Sequence, residues 1–161
     1  MVKLDIIVEE DAWKRHTNFS RKYLTNIANI TQSALSTTQR INASMCVLLT
    51  HSEKMCHLNK EFLGKSYPTN VLAFPYGDIQ HTSHRLQLLG DIALGYQIIY
   101  KEASEYSIPF VNHASHLLVH GLLHIMGYDH FNKTDAEKMF AKEDKIMQKL
   151  KIKQYQKNQF T

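Results

Sequence analysis

The chain has 161 residues, 43% of them hydrophobic and 21% charged, with a formal net charge of +4. That length suits one ordinary hydrophobic core, and the composition is that of a soluble globular protein. No apolar run is long enough to span a bilayer, and Glu9 and Glu10 interrupt the N-terminus where a signal peptide needs a continuous apolar stretch.

The first element is a strand, read from the apolar–polar alternation of Val2 to Val8. Phe19, Tyr23, Ile27, Ile30 and Leu35 follow helical spacing. Ser44 to Thr50 encloses Met45-Cys46-Val47-Leu48-Leu49 and reads as a buried strand. Thr50 and Glu53 form a candidate capping box that opens a helix running to about Phe62. Gly64, Pro68 and Asn70 punctuate a loop, in which Asn70 is expected to fix a turn. Val71 to Phe74 is a short strand stopped by Pro75. The polar stretch from Tyr76 to Gln87 reads as a surface loop containing His81 and His84.

Leu89 to Leu94 is the next strand, with a helix from about Gly95 to Tyr106 after it. Asp91 is read as a buried carboxylate bonded to backbone, with reach to a loop or a histidine as the alternative. Pro109 suits the start of a long helix, where a missing N–H costs little. Thr134 and Glu137 form a second candidate capping box, opening a last helix through Met139, Phe140, Ile146, Met147 and Leu150. Lys142, Lys145, Lys149, Lys151, Lys153 and Lys157 read as a solvated helix face running into a frayed tail after about residue 152, with a phosphate-contacting edge as the alternative. Cys46 and Cys56 lack metal-pair spacing and agree with a reducing compartment. The order of elements, with no repeat or linker, predicts a single α+β domain over 1–161: a mixed sheet of about four strands packed with helices.

The chemistry is concentrated in His120-Gly121-Leu122-Leu123-His124-Ile125-Met126-Gly127-Tyr128-Asp129-His130. An α-helix turns about 100° per residue, so His120 and His124 share one face. Gly127 can adopt positive φ and turn the chain back, bringing His130 to the same place. Three neutral imidazoles that leave a fourth position open are the donor set of a catalytic zinc. His113 and His116 lie on the same narrow stripe. His116 is read either as a partner of a ligand, substrate or proton, or as a half-buried ring bonded to a carbonyl. Asp129 is read as a turn residue bonded to local backbone, with proton acceptance as the alternative. The residue after His120 is Gly121, where zinc peptidases of the H-E-x-x-H type carry their general base. Glycine cannot take a proton and is expected to open space beside the ion, which favours a phosphodiester over a peptide as substrate. No general base is assigned, so the catalytic residues other than ligands are unknown.

The string HGLLHIMGYDH resembles the signature of the YbeY family of bacterial endoribonucleases. Leu58-Asn59 followed by Pro68-Thr69-Asn70-Val71-Leu72-Ala73-Phe74-Pro75, and Leu89-Gly90-Asp91-Ile92, are similar to two further blocks of that family, in the same order. The resemblance implies an α+β fold and one Zn²⁺ held by His120, His124 and His130. It also implies a zinc-dependent, single-strand-specific endoribonuclease of the cytoplasm, acting on ribosomal RNA and the small ribosomal subunit in 16S 3′-end maturation and ribosome quality control. One position departs: the family usually has arginine where Leu63 stands, and a leucine cannot bind phosphate as a guanidinium does. The alternatives are a non-catalytic ribosome-binding factor with a structural zinc and, against Gly121, a metallopeptidase.

Overall fold

The computed structural model describes residues 1–35, 41–79 and 85–153. His81, His84, Lys157 and the tail after residue 153 lie outside them. Four strands, β1 (Val2–Val8), β2 (Ala43–Thr50), β3 (Val71–Pro75) and β4 (Gln87–Gly95), form one sheet in the order β1-β2-β4-β3. β1 and β4 both pair with β2 in parallel, and β3 runs antiparallel to β4. The helices are α1 (Arg21–Leu35), α2 (Ser52–Leu63), α3 (Tyr96–Glu105), α4 (Phe110–Ile125) and α5 (Lys133–Lys149), with a short 3₁₀ turn at Asp11–Arg15. This is the mixed α+β arrangement that the sequence predicts.

β2 is central and apolar, and the alternation of its side chains feeds both faces of the sheet. On one face Met45, Val47 and Leu49 join Ile92 and Leu94 of β4 under α1 and α4, and α5 packs on those two helices. α2 covers part of the other face, where Met55 packs on Leu72 and Ala93. β4 begins two residues earlier than the alternation suggests: Ser44 pairs with Leu88 and Met45 with Gly90, so Leu89 is an extra residue in the ladder. Gly90 sits there at φ 152°, and a Cβ on it would run into the Phe74 carbonyl and Ile125.

α4 is the centre of the molecule, touching β3, β4, α1, α3 and α5. Leu117, Leu118, Val119, Leu122, Leu123 and Ile125 are all buried along it. Pro109 is its N-cap. Its end is a Schellman turn: the Tyr128 N–H reaches the Leu123 carbonyl, the Gly127 N–H reaches that of His124, and Gly127 takes φ 91°. The two capping boxes read from the sequence are displaced. α2 is capped by His51, whose ring accepts from the Lys54 N–H, while the Thr50 hydroxyl donates instead to Glu9. α5 is capped by Asn132, whose side chain accepts from the Asp135 N–H, so Thr134 is already inside the helix.

Candidate metal centre

The one-turn spacing on α4 and the turn at Gly127 bring the three predicted histidines together. Nitrogens of His120, His124 and His130 all lie within 4.8 Å of one another. His120 Nε2 and His124 Nε2 are 3.0 Å apart, and the three ring centroids are separated by 4.7, 5.4 and 5.1 Å. Bonds of about 2 Å in a tetrahedral zinc site place ligand nitrogens on the order of 3.3 Å apart, so this donor set fits such an ion with small ring movements. Burial, with the neighbouring His120 and His130 rings, pulls the His124 pKa down to about 4, which leaves that ring neutral and able to donate a lone pair at neutral pH.

Asp129 shapes the turn that delivers His130. Its Oδ1 accepts from the His130 N–H at 2.6 Å, the local backbone bond expected of a turn residue.

The remaining histidines of the stripe diverge. His113 is buried, and its Nε2 lies 2.7 Å from Glu102 Oε2, a carboxylate that also accepts from the Asn70 amide. Asn70 Oδ1 accepts from the Val71 N–H, so this residue fixes the entry to β3, as predicted, and ties it to α3 as well. His116 bonds a carboxylate: its Nε2 is 3.3 Å from Glu143 Oε2. The other oxygen, Glu143 Oε1, lies 2.6 Å from His120 Nδ1.

Glu143 was not singled out in the sequence. Its signal was available: it falls between Met139, Ile146 and Met147 on the buried stripe of α5, where a carboxylate has no business without a partner. Burial raises its pKa, but hydrogen bonds from the His116 and His120 rings, with their charge, outweigh that and hold the group at about 2. It is therefore an ionised acceptor.

Gly121 does not open space beside the histidines. A Cβ there would meet Ile92 Cγ2 at 3.2 Å and Val71 Cγ2 at 3.4 Å, so the missing side chain is used for close approach of α4 to the sheet. The space beside the site is elsewhere, in a cleft of about 470 Å³ between His124, Met126 and Gly127 and the segment Pro75, Gly77, Asp78 and Ile79. A larger cavity, about 720 Å³, lies between α2 and the sheet and is lined by Leu63, Phe62, Phe74, Tyr76 and Asp91. Among the described residues it has no comparable group of side chains that could share one ion. Asp91 there is half-buried and accepts from the Tyr76 hydroxyl at 2.5 Å, so it reaches the loop after β3, the alternative reading, rather than backbone.

Fold and site together define a single-sheet α+β protein whose central helix and following turn present a three-histidine group that could hold a metal ion. A family model described as Endoribonuclease YbeY matches residues 7–151. Proteins named Endoribonuclease YbeY are similar over most of the chain. The one from Chelativorans sp. strain BNC1 is 42% identical over 123 residues, 76% of each chain. That from Bartonella henselae is 34% identical over 159 residues, 95% of this chain and 96% of its own. The chain belongs to the endoribonuclease YbeY family, and that membership supports the role of an RNA endonuclease. The solution structure of TM1509 from Thermotoga maritima has a similar fold, with a TM-score of 0.60 at 24% identity over 92% of both chains. Among the described residues no helix is long and apolar enough to cross a membrane.

Proposed function

We propose that the protein is a zinc-dependent, single-strand-specific endoribonuclease of the cytoplasm that acts on ribosomal RNA of the small subunit, in 16S 3′-end maturation and ribosome quality control. The observation that carries the metal part is the convergence of His120, His124 and His130 on one point in a chain of this family. These three rings would hold one divalent ion, which when bound supplies a Lewis acid for the phosphodiester and makes water more acidic near neutral pH.

The chain's own residues support this chemistry in three ways. Neutral His124 offers its lone pair without first losing a proton. Gly121 faces the sheet and brings no carboxylate to the position where a peptidase keeps its base, which disfavours peptide hydrolysis. The cleft beside His124, walled by Ile79 and Met126, falls within the size range of small-ligand pockets, roughly 300–1,000 Å³, and gives a nucleotide room next to the histidines.

The test is cleavage of a labelled small-subunit ribosomal RNA fragment by zinc-loaded protein beside His124→Ala prepared identically. Cleavage by the parent alone places the chemistry on these histidines. Equal cleavage by both, or none by either with zinc bound, moves the protein to a non-catalytic ribosome-binding role. End analysis then separates two routes: attack by the RNA 2′-hydroxyl leaves a 2′,3′-cyclic phosphate, and attack by water need not.

A further inference from the structure

The three candidate ligands account for the metal point but not for the carboxylate behind it. Glu143 comes from a different helix, α5, and its side chain is 7% exposed. Its two oxygens are both engaged, one by each of two histidines a turn apart on α4. A buried carboxylate among methionines and an isoleucine is costly to keep, and packing alone would favour an apolar residue at that position.

We propose that Glu143 is a positioning residue for the metal site: its Oε1 fixes the proton of His120 on Nδ1 and turns Nε2 toward the ion, while His116 holds Oε2 and keeps the carboxylate from swinging into the coordination sphere. The inference rests on the metal reading above and extends it to residues outside the ligand set.

The geometry carries the assignment. One carboxylate sits between two imidazoles, with His120 Nδ1 2.6 Å from Oε1 and His116 Nε2 3.3 Å from Oε2, and the arrangement that satisfies both contacts has each ring nitrogen donating to a carboxylate oxygen. A neutral imidazole has one N–H, and with that proton on Nδ1 the lone pair is on Nε2. Nε2 of His120 is the atom that lies 3.0 Å from Nε2 of His124, at the centre of the histidine group. A carboxylate behind a ligating imidazole raises the basicity of the ring and fixes its orientation. The 3.3 Å bond from His116 explains why two histidines stand one turn apart when only the second reaches the ion: the first clamps the carboxylate from its other side. Glu143 is absent from the group of side chains able to share one ion, as a residue held back from coordination should be. The connection is also short in the chain. The turn that delivers His130 ends at Asn132, the cap of α5, so one segment sets both the third ligand and the helix that carries Glu143.

Two measurements test this without reference to cleavage. In the metal-free protein, ¹⁵N chemical shifts of the His120 ring should report the Nδ1–H tautomer. An Nε2–H tautomer overturns the proposal and requires no variant to fold. The second is zinc affinity by competition with a chromophoric chelator, for the parent and Glu143→Gln. The variant should bind zinc roughly 10–100-fold more weakly while its metal-free unfolding midpoint shows that it is folded. A folded variant with the parent's affinity overturns the positioning role and leaves the histidine site standing. Failure of the parent itself to bind zinc overturns the metal reading and this inference together.

Discussion

At the scale of single residues, His124 sets the response to acid. Its folded pKa of about 4 lies below the ordinary value of 6.5, chiefly because the ring is buried. Between those values the unfolded chain binds a proton that the folded chain refuses. The stability of the metal-free protein therefore rises with pH across that window and is lost as pH falls from about 6.5 toward 4. Urea midpoints measured from pH 7 to 4.5 should fall steadily in the parent and more shallowly in His124→Ala. Phe131 is a second residue with a readable consequence. It follows His130 and is 91% exposed, so it does not serve as a hydrophobic staple for α5. An aromatic face beside the candidate site suits stacking of an unpaired base, worth about 1–3 kcal/mol in such contacts. Phe131→Ala should weaken RNA binding, measured with zinc-loaded protein by fluorescence anisotropy, and leave zinc affinity unchanged. Phe131→Trp should restore it. Leu63 is also exposed and lines the α2 cavity with Asp91. Leu63→Arg, which supplies the guanidinium that the family resemblance implies at this position, should raise RNA affinity and steepen its salt dependence by about one unit of slope.

At the scale of elements, Gly121 decides how closely α4 meets the sheet. Gly121→Ala adds a methyl 3.2 Å from Ile92, and the strain offsets the helix-propensity gain of about 1 kcal/mol, so thermal unfolding should move little. Gly121→Glu forces a charged chain against Ile92 and Val71. Overpacking alone costs about 1–3 kcal/mol, and the unpaired carboxylate adds to it. The melting temperature should drop by several degrees, and no peptidase activity should appear. The same residue shows where the sequence was legible and where it was not. The histidine spacing gave the site because i and i+4 on a helix are neighbours whatever surrounds them. Which way Gly121 points depends on the partner that α4 packs against, and no local pattern contains that. Pro75, Pro109 and Gly127 ended or began elements where expected, since their constraints are backbone constraints. The capping boxes at Thr50 and Thr134 were misplaced because a cap belongs to whichever polar side chain the chain direction favours, and His51 and Asn132 stood close by. Glu143 was missed because its partners are 23 and 27 residues away. The extra residue at Leu89 is set by pairing with β2 and carries no mark in its own strand.

At the scale of the whole molecule, the core does not depend on the histidine site. Buried residues of β1, β2, β4, α1, α3, α4 and α5 form the main cluster, with a smaller one under α2, and His120, His124 and His130 are half-buried or exposed. Chelation should therefore leave the far-ultraviolet circular dichroism and a cooperative melt in place, with a modest loss of melting temperature equal to the linkage of the bound ion. Collapse of the fold on chelation would instead mark a structural zinc.

The strand order also has a bearing on how the protein behaves in a crowded solution. Among the described residues the four-stranded open sheet ends in two edge strands, β1 and β3. An unpaired row of N–H and C=O groups is an invitation to another chain, and on β1 part of that row is already taken: the Val2 N–H donates to Asn29 and the Leu4 carbonyl accepts from Arg21. β1 carries the exposed charges of Lys3 and Asp5 along its length, and β3 is only five residues long and stops at Pro75, which has no N–H to offer. Both edges are thus poor templates for a neighbour's strand, and the sheet that carries the histidine helix is guarded against stacking into aggregates at its two open sides.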